Sequence, residues 1–270
     1  MSAAAPQWAT ATDMAAVLDL EPIDRDLFRA VNTVAELRTT LYGGQVAAQA
    51  LRAAALTVDA DRYPHSLHGY FLRPGRFDLP VILHVDRDRD GRSFTARHVT
   101  AVQDGEVIFS MIASFQREES GGTLDRLPHE PAPVPDAKGR ADWAGLLDIT
   151  EVTETDPRRP RARHTDKLWV RVASPLPDDR VVHACALTYV SDLGSGFGQL
   201  DDPELPAGGP SIDHALWFHD PVRVDDWVLI EMWPDKAGGG RGVYQGTVRD
   251  RDGRLGAMLA QEMRLRRPGT

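Results

Sequence analysis

The chain has only one cysteine, Cys185, among its 270 residues. A single thiol excludes an internal disulfide and any metal site built from several cysteines. A lone thiol also fits a reducing compartment, where disulfides rarely form.

Positive charge is also in short supply. The chain has 31 Lys and Arg residues against 40 Asp and Glu, a formal net charge of −9. Binding to a phosphate backbone without sequence preference needs a basic surface, so this composition argues against a nucleic-acid partner. An anionic ligand would have to be received by a local basic patch, against the field of the whole protein.

Long apolar runs are missing too. No stretch approaches the ~20 apolar residues that a membrane-spanning helix needs. The first residues lack the basic start and the long apolar stretch of a signal peptide. We therefore expect a cytoplasmic protein without a membrane span.

Helical and extended patterns occur twice along the chain, in the same order. Residues 43–58 and 181–193 have the composition and spacing of helices. Each is followed by four extended stretches, at 66–74, 79–87, 92–102 and 105–116 and again at 214–221, 227–233, 241–250 and 254–266. An Asp-Gly pair, a strong hairpin signal, joins the last two stretches of each half. The pattern predicts two tandem α+β units, each with a long helix against an antiparallel sheet.

The two halves are related by a nearly constant offset. Phe71 and Pro74 correspond to Phe218 and Pro221 at an offset of 147, and the two Asp-Gly pairs differ by 148. Between the halves lies a stretch rich in Pro, Gly and charge, which is typical of a linker. We therefore predict an N-terminal unit at 1–119, a linker or surface excursion at 120–163 and a C-terminal unit at 164–270.

Gln261 is an unusual residue for its place in this pattern. With a period of two it shares the apolar face of the last predicted strand with Leu259 and Met263. At the offset of 148 it corresponds to Ala113. Burying an amide without partners costs roughly 2–7 kcal/mol, so the second half is expected to hold something that the first does not.

Three other motifs are not expected to carry chemistry. Residues 86–97 begin like a calcium loop, but Arg97 replaces the bidentate Glu at its twelfth position. Ser195 lies in a stretch that resembles a nucleophile elbow, yet Leu193 replaces its first glycine. His65 and His68 are three residues apart and so face opposite sides of a strand, and a structural role for His65 is favoured. We expect no metal and no cofactor.

Several segments together resemble the acyl-CoA thioesterase II family, which includes bacterial and peroxisomal enzymes. They are "LYGGQVAAQAL", "HSLHGYFLRPG", "RDGRSFTARHV", "ASFQ", "LPDDRVVHACALTYVSDL", "SIDHALWFHDP" and "AQEMRLR". The resemblance runs from about Leu20 to Arg266. It implies a double hotdog fold, in which each half wraps a curved antiparallel sheet around a helix. It also implies hydrolysis of medium- or long-chain acyl-CoA to free CoA and a fatty acid.

The resemblance also implies a set of catalytic residues. The family uses an Asp on the helix of the second half, a Thr before the next strand and a Gln on the last strand. Here "YVSDL" supplies Asp192, "AQEMR" supplies Gln261, and Ser211 stands where the family more often has Thr. A carboxylate can accept a proton from water while a hydroxyl and an amide fix the water's position. Each residue also has an ordinary alternative: a solvated surface Asp, a turn or capping Ser, and a Gln that satisfies a buried backbone group.

Substrate-binding candidates are less specific. Gly43 and Gly44 open the first predicted helix, where backbone N–H groups could face a developing oxyanion or where glycine simply allows close packing. Arg73 and Arg241 are candidates for the CoA phosphates, as is the basic run between 158 and 163. The resemblance implies a homodimer or homotetramer.

Two other functions remain open. A non-catalytic acyl-CoA-binding or regulatory protein on the same fold would bind without turnover. A hotdog hydratase or dehydratase would need a His beside a carboxylate at the channel, and none of the nine histidines has a recognisable setting of that kind.

Overall fold

Thirteen strands form one antiparallel sheet in the part of the chain that the computed structural model describes, namely residues 11–32, 40–125, 133–135, 140–142, 145–152, 166–197 and 209–265. Along the sequence these are β1 (Glu21–Asp24), β2 (Leu27–Ala30), β3 (Tyr63–Phe71), β4 (Val81–Asp90), β5 (Phe94–Gln103), β6 (Glu106–Gln116), β7 (Arg140–Asp142), β8 (Leu147–Glu151), β9 (Asp166–Val172), β10 (Asp213–Phe218), β11 (Val228–Gly238), β12 (Arg241–Asp250) and β13 (Leu255–Arg264). Three helices accompany them: α1 (Met14–Leu18), α2 (Gly43–Ala55) and α3 (Arg180–Ser191).

The order of the strands displays the duplication. It runs β1-β2-β4-β5-β6-β3-β10-β13-β12-β11-β9-β8-β7, so that β3 of the first half pairs with β10 of the second at the centre. On either side of this junction the order repeats outward. The buried residues Leu67 and Leu216 pair directly across it. The two α+β units predicted from the repeated pattern are confirmed, and they share a continuous sheet.

The predicted Asp-Gly hairpins join β5 to β6 and β12 to β13, and β6 and β13 lie next to the central strands β3 and β10. Asp104 and Gly105 both have positive φ, at 49° and 76°, in the turn between β5 and β6. Such a turn matches the twist of the flanking strands and favours an Asp-Gly pair. Gly253, with a φ of 84°, lies in the equivalent turn between β12 and β13.

The two long helices pack against each other. The side chain of Asp179 caps α3 by accepting a hydrogen bond from the N–H of Val181 at 2.8 Å. A Cβ on Gly44 would overlap the carbonyl oxygen of Tyr189, so glycine is needed for this close approach of α2 to α3. The hydroxyl of Tyr42 donates to the same carbonyl at 2.9 Å.

The stretch expected to be a linker or surface excursion, residues 120–163, contains two strands. Within 120–163, β7 and β8 extend the sheet, and β8 pairs with β9 of the C-terminal unit. The physical reason is that Leu146 and Leu147 are buried against the core although their neighbours are polar and Pro-rich. A two-residue apolar pair is too short to give a strand pattern in sequence. The basic run at 158–163 lies outside the described residues.

The stretch that resembled a calcium loop is the β4–β5 hairpin. Arg97 is buried there and donates to Asp90 and to the hydroxyl of Thr57 at 2.8 Å. Arg97, which stands where a calcium loop has its bidentate Glu, thus connects the hairpin to the end of α2.

Candidate active site

Asp192 immediately follows α3, at the position where the helix ends. Its backbone no longer has helical angles, and Gly194 with a φ of 74° turns the chain away two residues later. The carboxylate of Asp192 thus lies at the end of the helix, between the buried residues Ser191 and Leu193.

Gln261 lies on the inward face of β13. Its side chain is only 2% exposed, and it lies between the buried residues Leu259 and Met263 on the same face. The period of two predicted this orientation. Ala113, the counterpart in the first half, is also buried.

Ser211 is held just before β10 by an isolated bridge to Met263 on β13. Two residues earlier, a Cβ on Gly209 would collide with the backbone of Arg264. The segment from Gly209 to Ser211 therefore lies close to β13, which places the hydroxyl of Ser211 next to Gln261.

Hydrogen bonds join the three side chains. Nε2 of Gln261 donates to Oδ1 of Asp192 at 3.0 Å and also to Oγ of Ser211. The hydroxyl of Ser211 is itself a hydrogen-bond partner of the Asp192 carboxylate. Residues 69 and 50 positions apart in the chain thus meet in one cluster.

The first half contributes to the same cluster through the start of α2. The backbone N–H of Gly44 donates to the carboxylate of Asp192. A Cβ on Gly43 would lie 2.8 Å from Oδ2 of Asp192, so this glycine leaves room for the carboxylate. Both glycines therefore permit close packing, and Gly44 directs its N–H to the acid from the positive end of a helix.

The pKa of Asp192 is raised from its ordinary value of 3.8 because burial penalises the charged carboxylate. The nearby His214 and the hydrogen bonds from Gln261, Gly44 and Ser211 oppose this shift. Burial has the larger effect, so the carboxyl holds its proton to a higher pH than a solvated Asp.

A cavity of about 950 Å³ opens beside this cluster. Asp192 and Ser211 line it, whereas Gln261 lies behind them and is not part of the wall. Most of the rest of the wall is apolar and comes from both halves: Val46, Phe71, Ile108, Phe109, Leu168, Leu193 and Met263. Such a cavity suits a long apolar group whose polar end meets a few fixed side chains.

Basic side chains differ in their relation to the cavity. Arg73 lines it, pairs with Glu106 at 2.7 Å and donates to the carbonyl of Val107. Arg241 is not among the lining residues and pairs with Glu262 at 3.5 Å. Arg264 and Lys167 also line the cavity, although neither was predicted from the sequence.

His214 is a further polar residue of the site that was not predicted from the sequence. This side chain is completely buried on β10, and its Nδ1 is hydrogen-bonded to Oε1 of Gln261. The signal was present in the repeat, because His214 corresponds to the apolar Leu67 at the offset of 147. His65, by contrast, lies 2.7 Å from the hydroxyl of Ser114, away from the cavity wall.

Within the described residues, no group of three or more His, Cys, Asp or Glu side chains is arranged to hold a metal ion. In that same part of the chain, no helix is long and apolar enough to cross a membrane.

Comparison with known proteins decides the family. The model of the acyl-CoA thioesterase N-terminal domain matches residues 34–116, and that of the C-terminal domain matches residues 126–265. The chain belongs to the acyl-CoA thioesterase family.

Relatives of this thioesterase family member cover most of its length. It is 35% identical to human acyl-coenzyme A thioesterase 8, over 91% of this chain and 86% of the relative. It is 33% identical to acyl-CoA thioesterase 2 of Haemophilus influenzae, over 93% and 96%.

Solved structures establish the fold of the thioesterase family member. It is similar to acyl-CoA thioesterase II TesB2 from Mycobacterium marinum, with a TM-score of 0.81, 40% identity and coverage of 95% and 99%. It also superposes on a hotdog-fold protein from Alicyclobacillus acidocaldarius, with a TM-score of 0.73, 22% identity and coverage of 94% and 98%. The double hotdog expectation is confirmed.

Proposed function

We propose that this protein hydrolyses medium- or long-chain acyl-CoA to a free fatty acid and CoA by direct attack of a water molecule. The observation that carries the proposal is the carboxylate of Asp192 at the wall of a largely apolar cavity, bound by Gln261 and Ser211. The names of the relatives support the same reaction class.

Asp192 serves as the general base. A carboxylate with a raised pKa is a stronger base than a solvated one, and it retains access to the cavity where water and substrate meet. It takes a proton from the water while the water oxygen bonds to the thioester carbon. When the carbon–sulfur bond breaks, the same proton passes to the departing CoA sulfur, so that no covalent enzyme intermediate forms.

Gln261 and Ser211 fix the geometry of this base. The amide donates to the carboxylate and to the hydroxyl, and the hydroxyl in turn reaches the carboxylate. Three mutually bonded groups cannot rotate independently, so the lone pairs of the carboxylate keep one direction toward the water. Such preorganisation lowers the barrier without any movement during the reaction.

Stabilisation of the thioester oxygen is assigned to the start of α2. The N–H of Gly44 is directed to Asp192, so the N–H of Gly43, a residue at the cavity wall, is the proposed donor. The first N–H groups of a helix have no acceptor within the helix, and the helix dipole favours negative charge at this end.

The cavity wall supports the assignment of substrate class. Apolar side chains from both halves suit a fatty acyl chain, and Arg73 and Arg264 at the same cavity supply positive charge for the phosphates of CoA. In a protein with a net charge of −9, such local positive charge is the feature that an anionic ligand requires.

The experiment measures thiol release from acyl-CoA across a series of chain lengths. We expect turnover by the wild type and loss of most of the rate in Asp192→Asn, with Asp88→Asn on the exposed β4–β5 hairpin as the matched control. Tight binding of acyl-CoA without thiol release would favour a non-catalytic binding protein. Hydration of an enoyl-CoA would favour a hydratase, although none of the described residues at the cavity wall is a His.

We also propose a cytoplasmic homodimer or homotetramer. Tyr70, Ile112 and Trp217 lie on one face of β3, β6 and β10 and are 57%, 48% and 40% exposed. Neighbouring apolar side chains on an outer sheet face support self-association. Sedimentation would report a monomer if this proposal is wrong.

A further inference from the structure

A buried polar chain continues behind the candidate site. His214 is completely buried, with Nδ1 bonded to Oε1 of Gln261 and Nε2 2.8 Å from Oγ of Ser191. The hydroxyl of Ser191 in turn lies 2.9 Å from the carbonyl oxygen of Thr188 on α3. His214 therefore connects the amide of Gln261 to the helix that ends at Asp192.

The orientation of the Gln261 amide matters for the site. Its nitrogen faces Asp192 and Ser211, and its oxygen faces His214. The two ends of an amide have nearly the same shape, so packing alone does not distinguish them. A flipped amide would place a carbonyl oxygen against the carboxylate of Asp192 and remove the hydrogen bond.

His214 can enforce the productive orientation. A carbonyl oxygen only accepts hydrogen bonds, so Nδ1 of His214 carries the proton that it donates to Oε1 of Gln261. The flipped amide would point two N–H groups at that same N–H donor. With His214 present, both ends of Gln261 have correct partners in one orientation alone.

The duplication supports reading these two residues as a unit. Leu67 and Ala113, their counterparts in the first half, are direct cross-strand partners and fully buried. Where the first half has this apolar pair, the second has His214 and Gln261. Each would be costly to bury alone, and together they satisfy each other.

We propose that His214 is a positioning residue for hydrolysis, which holds the Gln261 amide with its nitrogen toward Asp192. The inference rests on the proposed function, because it acts through the assigned base. His214 is absent from the cavity wall, so it does not touch the substrate.

A pair of polar variants separates this role from simple packing. The side-chain nitrogen of Asn can occupy the place of Nδ1, so His214→Asn keeps a donor for Gln261 and loses the contact with Ser191. His214→Gln does the reverse. We expect His214→Asn to keep kcat within about threefold of wild type, whereas His214→Gln and His214→Leu lower kcat by about tenfold or more at an almost unchanged KM.

The effect must also depend on Gln261. In a Gln261→Ala background, His214→Leu is expected to cause no further loss of kcat, because there is no amide left to orient. This double variant recreates the buried pair Leu67 and Ala113, so it is expected to fold even if His214→Leu alone does not. Thermal unfolding of each variant checks that kcat is compared between folded proteins.

Each result decides the proposal. An equal loss in the Asn and Gln variants, a larger loss in the Asn variant, or an additive loss in the Gln261→Ala background would overturn it. So would wild-type kcat in a folded His214→Leu or His214→Gln. Failure of the proposed function would be distinguishable, because the wild type would then release no thiol or Asp192→Asn would keep the wild-type rate.

Discussion

The backbone N–H of Gly44 in the first half donates a hydrogen bond to the carboxylate of Asp192 in the second. The candidate site is therefore completed by both halves, although the side chains of the cluster come from one. The half that kept the apolar pair Leu67 and Ala113 supplies a helix terminus instead of side-chain chemistry.

Methyl groups on the two adjacent glycines are expected to have different effects. Gly44→Ala drives Cβ into the backbone of Tyr189, which separates α2 from α3 and destabilises the fold by about 1–3 kcal/mol. Gly43→Ala meets side chains, with Cβ 2.8 Å from Oδ2 of Asp192 and 2.9 Å from Cε1 of Phe71. We expect the melting temperature of Gly43→Ala to be closer to that of the wild type than the melting temperature of Gly44→Ala is, and we expect its kcat to be lower than that of the wild type. Equal losses of melting temperature would contradict this.

Removal of the Gln261 amide is expected to lower kcat by about 100-fold, by analogy with the loss of one donor in a preorganised site. Gln261→Ala takes away the bonds to Asp192 and Ser211 and leaves the residue type found at position 113. The matched control is Gln245→Ala on the exposed face of β12, which is expected to keep full activity. A change in KM alone would indicate that Gln261 acts in substrate binding.

The sequence predicted the repeated architecture and the face of Gln261, because strict periodicity and Asp-Gly turns are local signals. Strands β7 and β8 were missed because they are short and lie among polar residues. The contact of Asp192 with Gln261 was expected only from the family resemblance, since no local pattern brings residues 69 positions apart together. Tertiary packing alone could reveal that Gly44 faces the carboxylate and that His214 faces the amide.

The raised pKa of Asp192 predicts the acid limb of the pH–rate profile. As pH falls through this pKa the base gains a proton, so kcat/KM should decline with a midpoint above the ordinary value of 3.8. Steady-state kinetics with a neutral acyl thioester, which has no titrating phosphate, measures this midpoint. A midpoint at or below 3.8 would contradict the assignment of Asp192 as a base that is destabilised by burial.

The same shift predicts an effect on stability. A carboxyl whose pKa is higher in the folded state stabilises the fold below its unfolded pKa, and this contribution is lost as pH rises through the folded pKa. Asp192→Asn removes a half-buried charge, so it should raise the melting temperature at neutral pH and have a smaller effect in acid. Calorimetry at both pH values tests this, and a lower melting temperature at neutral pH would show that hydrogen bonds to the carboxylate outweigh its burial.

The hydroxyl of Ser211 is expected to affect kcat more than the methyl group that a Thr would add at this position. Ser211→Thr keeps the oxygen that bonds Gln261 and the carboxylate and restricts its rotamers, so kcat should stay near wild type. Ser211→Ala removes the oxygen and is expected to lower kcat by about tenfold or more. If both variants retain full kcat, the hydroxyl has no part in the reaction.

Arg73 and Arg241 provide a matched test of phosphate binding. Arg73 lines the cavity and pairs with Glu106, whereas Arg241 is outside the lining and pairs with Glu262. We expect Arg73→Ala to raise KM for acyl-CoA by about tenfold, which corresponds to the loss of a charge-assisted hydrogen bond, while Arg241→Ala leaves KM unchanged. With an acyl-pantetheine that lacks the nucleotide phosphates, wild type and Arg73→Ala should have equal KM. An equal rise in KM for both substrates would instead assign Arg73 to the shape of the cavity wall, because only a phosphate contact can depend on the nucleotide.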